Sequence, residues 1–288
     1  MQDLDWNDLR FVLAAARCQS LAGAARQLGV NESTVGRRIT RIEQRLASQL
    51  FERGAGVLHV TKAGAAVVAS AERIERDVQD MAATIGGVDN LAAGAVRLTS
   101  VPMIVNRVLV PALPRLLDCH PDLRVDLIAE PRVMSLTKRE ADLALRLARP
   151  QKEMRAVARR VGQVDYAVYA AVGTTQDQLP WVTYDDGMAD LPQRQWIAEQ
   201  AKGGDGAPPV MTANDAEAIF QAVKAGLGKS LLPIAIADRD GDLVRLGERA
   251  VALSRELWLV VHPDLRHLTR IRVVMDWVAT AVAGLARD

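Results

Sequence analysis

The first part of the chain places apolar residues at intervals of three and four, the period of helices that bury one face. Gly29 interrupts this pattern, and the next apolar run follows Asn31, a residue type that caps helices through its side-chain oxygen. We therefore predict two helices joined by a turn at Gly29, the second starting at Glu32. The residues expected to pack them are Leu21, Leu28, Val30, Val35, Ile39 and Ile42, with Ala22, Ala24 and Ala25 allowing a close crossing.

Polar side chains occupy the positions of the second helix that this apolar stripe leaves open. Polar groups near the N-terminus of such a helix match the base edges in the major groove of DNA. A basic helix can also be no more than a solvated face, but the spacing, the cap and the small packing residues together favour an interface with double-stranded DNA. The predicted contacts are Glu32, Ser33, Thr34, Arg37, Arg38 and Arg41 in the helix and Arg53 beyond it, where a phosphate contact is expected.

The next segment combines a turn and a long helix. Gly54 and Gly56, flanked by Val and Leu residues, predict a short β-hairpin, and Thr61 is expected to cap the helix that follows. That helix, predicted over about 62–85, spaces its apolar residues by 4, 3, 4, 3 and 4 positions, a heptad pattern. So narrow a stripe needs a partner; packing on the same chain is one explanation, and pairing with a second copy is the one we favour. The expected dimerisation residues are Val67, Ala71, Ile74, Val78, Met81 and Ile85.

Beyond a hinge predicted over 86–95, the pattern changes to short apolar runs that alternate with helical ones. Alternating strands and helices are typical of an α/β fold with a mostly parallel sheet. A weak section around 162–168 indicates a join between two lobes. The predicted strands are Val96–Thr99, Arg124–Ala129, Leu143–Leu147, Val210–Thr212, Ser230–Leu232, Leu243–Leu246 and Glu256–Val261, and the predicted helices are Met103–Leu117, Asp215–Ala225 and Leu268–Leu285.

Composition narrows the class of protein without identifying it. The 288 residues are 49% hydrophobic and 25% charged, which is ordinary for a globular chain of two or three domains. Residues 1–62 hold nine Lys or Arg against six Asp or Glu, a net charge of +3, whereas the whole chain carries +1. This excess fits a small module that contacts phosphates. The sequence has no apolar run of ~18 residues, so we expect no membrane partner. It has no export signal, and Cys18 and Cys119 form no Cys-x-x-Cys motif. We therefore expect a cytoplasmic protein.

A second site is expected in the two-lobed part, because ligands in such folds bind where strands end and free helix N–H groups attract anions. Ser100 stands at such a junction, and Arg132 and Arg146 follow the next two predicted strands. A small, anionic effector is therefore expected there. Ser100 can equally cap its helix, and the arginines can pair with Glu130 or Asp142. The expected effector contacts are Thr99, Ser100, Val101, Pro102, Arg132, Arg146 and Thr212.

Two other classes of protein fit the sequence less well. An enzyme is disfavoured because the four histidines are scattered and no Gly-x-Ser-x-Gly or Cys/His nucleophile arrangement occurs. A transport-linked solute-binding protein would share the two-lobed part, but it would need an export signal and would leave residues 1–90 unexplained. We therefore expect no catalytic residues, no bound metal and no cofactor.

Two sets of residues carry a resemblance to a known family. The first is Leu9, Phe11, Ser20, Ala24, Ala25, Leu28, Val30, Ser33, Val35, Arg37, Ile39, Glu43, Leu46, Leu50, Phe51, Arg53, Thr61 and Gly64. The second is Gly94–Leu98, Pro111, Leu113, Pro121–Leu123, Ala141–Arg146, Ala225–Gly228 and Leu232–Pro233. With this spacing the chain resembles the LysR-type transcriptional regulators over essentially its whole length.

The resemblance implies an α+β chain with an N-terminal winged helix-turn-helix, a long linker helix and a C-terminal two-lobed α/β effector domain like the type II periplasmic binding proteins. It also implies a bacterial regulator that forms a homo-oligomer, as a dimer of dimers, binds promoter DNA and a small-molecule effector, and has RNA polymerase as a further candidate partner. The expected domains are 1–62 for DNA binding, 63–88 for the linker helix and hinge, and 92–288 for the effector, with lobe I at about 92–164 and 266–288 and lobe II at about 165–265.

Departures from the family pattern bear on DNA contact. Gly36 and Arg38 stand where Ser and Gln are usual, and Glu32 replaces another Gln. A carboxylate near DNA is repelled by phosphates unless it accepts a hydrogen bond from a cytosine amino group. In the wing, Gly56 and His59 occupy common arginine positions, so we expect the wing to grip the minor groove weakly.

Overall fold

In the computed structural model, the first helices begin and end at residues that satisfy their unpaired backbone groups. The side chains of Asp5 and Ser20 accept hydrogen bonds from the backbone N–H groups of Asn7 and Gly23 at 3.0 and 3.1 Å. Gly29 ends the second helix in the left-handed region, with a φ of 65°. The predicted helix-turn-helix is confirmed, and its helices are α1 (Trp6–Cys18), α2 (Leu21–Leu28) and α3 (Glu32–Leu46).

The chain folds as an N-terminal unit, Met1–Val88, and a C-terminal unit, Asp89–Asp288. The structure describes residues 5–54, 57–85, 92–130, 141–150, 156–174, 179–202, 209–247 and 251–285. Of these, no helix is both long and apolar enough to cross a membrane.

Packing of the three helices follows the predicted stripe with two differences. Ala22 lies exposed, because the crossing is made by the buried Ala24 and Ala25 alone. Asn31 makes no side-chain capping bond; its extended backbone instead presents the carbonyl oxygen, which accepts from Thr34 N at 2.9 Å. Val35, Ile39 and Ile42 are buried, and Leu21, Leu28 and Val30 pack around them partly buried.

A two-stranded antiparallel hairpin follows, with β1 (Phe51–Gly54) paired to β2 (Val57–Val60). Glu43 leads the chain into it, since its Oε1 accepts from the backbone N of Leu50 at 2.8 Å and of Phe51 at 3.3 Å. Thr61 caps the next helix as predicted, because its Oγ1 accepts a hydrogen bond from Gly64 N at 3.0 Å. The winged helix-turn-helix is thus complete.

The long helix α4 (Lys62–Ile85) is anchored to its own unit over its first half. Ala71 is fully buried, and Val67 and Val68 pack against the N-terminal core. Arg17 on α1 reaches Glu75 with a contact of 2.6 Å between Nη2 and Oε2. Part of the heptad pattern therefore serves packing within the chain, which was the alternative to pairing.

The C-terminal unit is built on a seven-stranded sheet. Its strands are β3 (Gly94–Ser100), β4 (Leu123–Ala129), β5 (Leu143–Arg146), β6 (Val157–Ala171), β9 (Ser230–Pro233), β10 (Leu243–Arg245) and β11 (Leu253–Val261), and β7 (Val182–Tyr184) pairs with β8 (Met211–Ala213) in a separate parallel pair. The order across the large sheet is β10–β6–β11–β5–β3–β4, with β9 paired to β6 off this path.

The helices of this unit lie around the sheet strands and pack on their apolar residues in one large core, and a small separate cluster forms around Ala141, Ala144 and Val260. After β3 the chain forms one helical run that contains a π-helical segment, Val105–Leu109. The described helices are α5 (Pro102–Ile104), α6 (Val110–Cys119), α7 (Pro192–Lys202), α8 (Ala216–Lys224), α9 (Ile234–Ala237) and α10 (Thr269–Val282), with 3₁₀ turns at Asp186–Met188, Pro263–Leu265 and Ala283–Leu285.

The expectation of a mostly parallel sheet is wrong. β3 is parallel to β4 and β5, but β6 and β11 run antiparallel to all the strands they pair with. β6 is also the longest strand of the described chain, and it runs through 162–168, where the sequence predicts a join between two lobes. Its first half carries exposed polar residues, including Arg159 and Arg160, which weakened the apolar signal.

β6 and β11 run through both halves of the sheet. Trp258–Val261 of β11 pair with β5 as well as β6, and a bulge follows Leu257. The later residues of β6 pair with β9 and β10. The two strands therefore connect the two lobes of the unit, and the proposed boundary between residues 164 and 165 falls inside β6. The domain and lobe limits given above stay predictions.

Among the described glycines of the N-terminal unit, Gly64 has the least room, because a Cβ there would lie 2.1 Å from the carbonyl oxygen of Leu50. We expect Gly64→Ala to lower the free energy of unfolding by at least ~1–3 kcal/mol through overpacking. Gly36→Ala is the control, since its Cβ would meet Leu21 Cδ1 at an ordinary 3.9 Å and would raise helix propensity by up to ~1 kcal/mol. Calorimetric melting of both variants measures this; an equal effect of the two would contradict the packing explanation.

Candidate functional site

The N-terminal half of α3 carries exposed polar side chains on the surface of the helix-turn-helix. Glu32, Ser33 and Arg37 are exposed, and Thr34 is half-buried beside them. Arg37 makes no hydrogen bond or ion pair with the rest of the described chain, so its guanidinium is available to a partner. The helix N-terminus adds unpaired N–H groups that favour negative charge.

Arg38 and Arg41, two of the predicted DNA contacts, also bind a carboxylate of their own unit. Arg38 Nη1 donates to Asp8 Oδ1 at 2.8 Å, and Arg41 donates to both oxygens of Asp8 at 2.7 Å through Nη2. The guanidinium of Arg38 also lies 5.6 Å from the ring centroid of Phe11. Because Asp8 is on α1, these contacts fasten α3 to α1, while the two arginine side chains stay 35% and 42% exposed.

Asp8 itself is only 1% exposed, although it carries a charge. Burial alone would raise the pKa of its carboxyl, but the hydrogen bonds from Arg41 and Arg38 outweigh burial and hold this pKa below its ordinary value. Asp5 adds a second, more distant carboxylate, with contacts of 3.3 Å to Arg41 and 3.6 Å to Arg38. The cluster is therefore charged on both sides at neutral pH.

The wing and the far half of α4 complete the surface of this unit. The backbone of Arg53 lies in β1, and its side chain lies outside the described residues. On α4, an exposed apolar stripe consists of Ile74, Val78 and Met81, which are 38%, 43% and 56% exposed. Three of the predicted dimerisation residues are thus available to a partner, whereas Ala71 is buried in its own unit and the side chain of Ile85 is not described.

In the C-terminal unit, a cavity of about 80 Å³ lies among the ends of several strands. Val101 and Pro102 line it from the start of α5, and Leu147 lines it just past β5. Its walls are mostly apolar: the remaining apolar lining is Met103, Ile104, Val164, Met188, Leu191, Ala216, Leu231, Leu232, Pro233, Ile236 and Leu285.

Polar groups reach the cavity mainly from β6, β11 and α7. Arg255 Nη1 donates to Gln193 Oε1 at 3.1 Å, and the buried Tyr166 also lines the cavity. Arg255 makes no ion pair with a carboxylate in the described chain. Burial raises the pKa of Tyr166 and of Tyr184, so both phenols are neutral donors at physiological pH. The remaining polar lining is Asn214 and Asp215, the latter capping α8 through Ala218 N at 3.2 Å.

The predicted effector contacts are only partly brought together. Ser100 is buried and donates through Oγ to Leu145 O at 3.0 Å, and Arg146 donates to Thr99 Oγ1 at 3.1 Å. Burial lowers the pKa of Arg146 to about 10. These three residues and the exposed Thr212 do not line the cavity, and Arg132 lies outside the described residues. Val101 and Pro102 are the members of the set that line it.

An ion pair lies next to the cavity rim. Arg107, in the π-helical segment, donates through Nε to both oxygens of Glu217 at 3.2 Å, and its guanidinium lies 4.4 Å from the Phe220 ring centroid. Each residue follows a lining segment, Pro102–Ile104 and Asn214–Ala216. Burial of Glu217 is outweighed by its bond to Arg107, which lowers the carboxyl pKa. The pair thus joins the helices on the two sides of the cavity.

Sequence reasoning missed the polar half of this cavity, namely Tyr166, Tyr184, Gln193 and Arg255. Gln193 and Arg255 meet across 62 residues of sequence, and no spacing rule relates them. The one signal in the sequence was that Tyr166 and Tyr184 are two of only three tyrosines in a chain with 4% aromatic residues. In the described chain, no group of three or more His, Cys, Asp or Glu side chains could hold a metal ion.

The family model described as "LysR substrate binding domain" matches residues 89–283, and the one described as "Bacterial regulatory helix-turn-helix protein, lysR family" matches residues 6–65. The chain is 28% identical over 295 residues to the Mau operon transcriptional activator of Paracoccus denitrificans, with 97% of each protein covered.

Solved structures share the fold. CrgA, a LysR-type transcriptional regulator from Neisseria meningitidis, is similar with a TM-score of 0.58 and 22% identity, over 98% of this chain and 100% of that one. Full-length CbnR in complex with its target DNA is similar with a TM-score of 0.61 and 17% identity, over 98% of this chain and 100% of that one. At these identities the two structures establish a common fold.

Proposed function

Because the chain belongs to the LysR family of bacterial transcriptional regulators, we propose that it binds its operator through α3 and responds to a small molecule held in the cavity of its C-terminal unit. The chain is a regulator with a DNA-binding and a substrate-binding domain, and its family is one of regulators rather than enzymes. The observation that carries the proposal is the combination of two features in one chain. The N-terminus of α3 is exposed, and the C-terminal unit contains a mostly apolar cavity that Arg255 lines.

The proposed base contacts are on the first half of α3. Arg37 is the exposed cation there, and Arg is the side chain that pairs with guanine through two hydrogen bonds in the major groove. Ser33 and Thr34 supply hydroxyls, and Glu32 suits a cytosine amino group. Arg53 remains a proposed phosphate contact. The shared fold with CbnR, whose structure includes target DNA, supports this placement.

Pairing through α4 is the proposed basis of the homo-oligomer. Ile74, Val78 and Met81 form an exposed apolar stripe, and an isolated helix with such a stripe gains stability by burying it against a second helix. A dimer would hold two α3 helices for two half-sites. We propose that dimers pair further into a tetramer, work in the cytoplasm, where the operator is found, and act together with RNA polymerase.

The proposed effector has an apolar body and an acceptor or anionic group. The mostly apolar walls accept the body, and the Arg255 guanidinium, held by Gln193, offers donors to a carboxylate. We still propose an anionic effector, but the arginine proposed to bind its negative group is Arg255 in place of Arg146. Closure of the two lobes over the molecule would then bias the DNA-binding units.

The recognition surface is tested with Arg37→Ala. Loss of a paired base contact should cost ~1–3 kcal/mol on the preferred duplex and relax preference at the contacted position. Fluorescence anisotropy with duplexes selected from a random library measures both quantities. Arg10→Ala is the control, because Arg10 is exposed on α1 and its loss removes the same charge. Equal base preferences in Arg37→Ala and the wild type would place recognition elsewhere.

Pairing through α4 is tested with Ile74→Asp, which puts a charge where a partner helix would exclude water. We expect loss of the dimer in sedimentation velocity and weaker binding to the selected duplex, because two half-sites are no longer held together. Ala69→Asp is the matched control, since Ala69 is exposed on the opposite face of α4. A folded Ile74→Asp protein that stays dimeric would refute the pairing.

The effector cavity is tested by a thermal-shift screen of small carboxylic acids with the full chain. For the best binder, Arg255→Gln should weaken affinity about 10- to 100-fold, as expected for a lost charge-assisted hydrogen bond of ~1.5–3 kcal/mol. Arg159→Gln removes the same charge from an exposed position of β6 and should change nothing. Calorimetry giving equal affinities for Arg255→Gln and the wild type would move the site.

A further inference from the structure

Asp8 stands out as the one carboxylate of the described chain that is buried to 1% and binds two arginines of the recognition helix. It accepts four hydrogen bonds of 2.7–2.9 Å, one from Arg38 and three from Arg41. A buried carboxylate must keep such partners, because removing them leaves an uncompensated charge away from water. The contact is therefore not an incidental surface pair.

The two arginines would otherwise be well placed to meet phosphates. They lie three residues apart on α3, so both project from the same side of the helix, and their side chains are 35% and 42% exposed. Each extra arginine that reaches a phosphate strengthens binding to every DNA sequence equally, because it releases counterions without contacting a base. Arg37, four positions before Arg41 and thus on the same side of the helix, has no partner in the described chain.

The negative charges around Asp8 match the positive charges of the two guanidinium groups that bind there. Asp8 and Asp5 together supply two negative charges for Arg38 and Arg41, so the cluster is neutral as a whole. Asp5 is the weaker member, since it is 41% exposed and its contacts are 3.3 and 3.6 Å. Phosphates would have to compete with a buried, bidentate carboxylate for the same donors.

We propose that Asp8 is a positioning residue that withholds Arg38 and Arg41 from the DNA backbone and so limits sequence-independent binding. This inference rests on the proposed use of α3 in DNA binding. Non-specific genomic DNA competes with the operator for the protein, and the competing sites vastly outnumber it. Two arginines kept off the phosphates leave a larger share of binding to Arg37 and its neighbours, which contact bases.

The test is the salt dependence of binding to a 30-bp duplex of random sequence, measured by anisotropy with the full chain. In Asp8→Asn, the slope of log affinity against log salt should steepen by ~0.9 for each freed arginine, up to ~1.8 per protomer. At 0.1 M salt, affinity for this duplex should rise on the order of tenfold or more. Asp5→Asn is the comparison: it removes the same charge and keeps an α1 cap residue but breaks only the longer contacts of 3.3 and 3.6 Å, so it should steepen the slope much less than Asp8→Asn does.

A second variant covers the case in which Asp8→Asn does not fold. Arg38→Gln leaves Arg41 to hold Asp8, and because Arg38 is withheld in the wild type, its loss should not change the slope. A slope lower by ~0.9 in Arg38→Gln would show that Arg38 already contacts phosphate and would overturn the proposal. An unchanged slope in a folded Asp8→Asn protein would overturn it as well. Failure of the wild type to bind any selected duplex would instead refute DNA binding through α3.

Discussion

A polar group removed from water needs a partner, and this constraint organises both units of the protein. In the N-terminal unit the buried carboxylate of Asp8 takes Arg38 and Arg41, which locks α3 against α1. In the C-terminal unit the buried Ser100 hydroxyl takes the carbonyl of Leu145, which ties β3 to β5. Because these buried groups already have partners within the chain, the polar side chains that can bind a ligand are those on the surface or facing the cavity.

This constraint separates positioning groups from binding groups. Arg146 donates to Thr99 and to a backbone carbonyl, whereas Arg255 donates, among the described residues, to the neutral Gln193 alone. Arg41 is spent on Asp8, whereas Arg37 has none in the described chain. A guanidinium is always charged, so its freedom depends on the local supply of acceptors and not on its own chemistry.

Connections through β6 and β11 give the C-terminal unit its form. These antiparallel strands pass through both halves of the sheet and bring Tyr166 and Arg255 to the cavity wall. The Arg107–Glu217 pair then joins the helices on the two sides of the cavity. A molecule bound in the cavity therefore lies between β6 and β11 on one side and the helices joined by the Arg107–Glu217 ion pair on another.

Local rules were enough for the turn at Gly29, the cap by Thr61 and the strands β3, β4 and β9, because caps, helical periods and β-branched runs act over a few residues. The family, too, followed from spacing along the chain. Tertiary structure alone decided that α3 shares two arginines with Asp8, that Ala71 packs inside its own unit, and that Arg255 meets Gln193. Each of these depends on residues about 30 to 60 positions apart, where burial and competition for partners, and not local propensity, choose the contact.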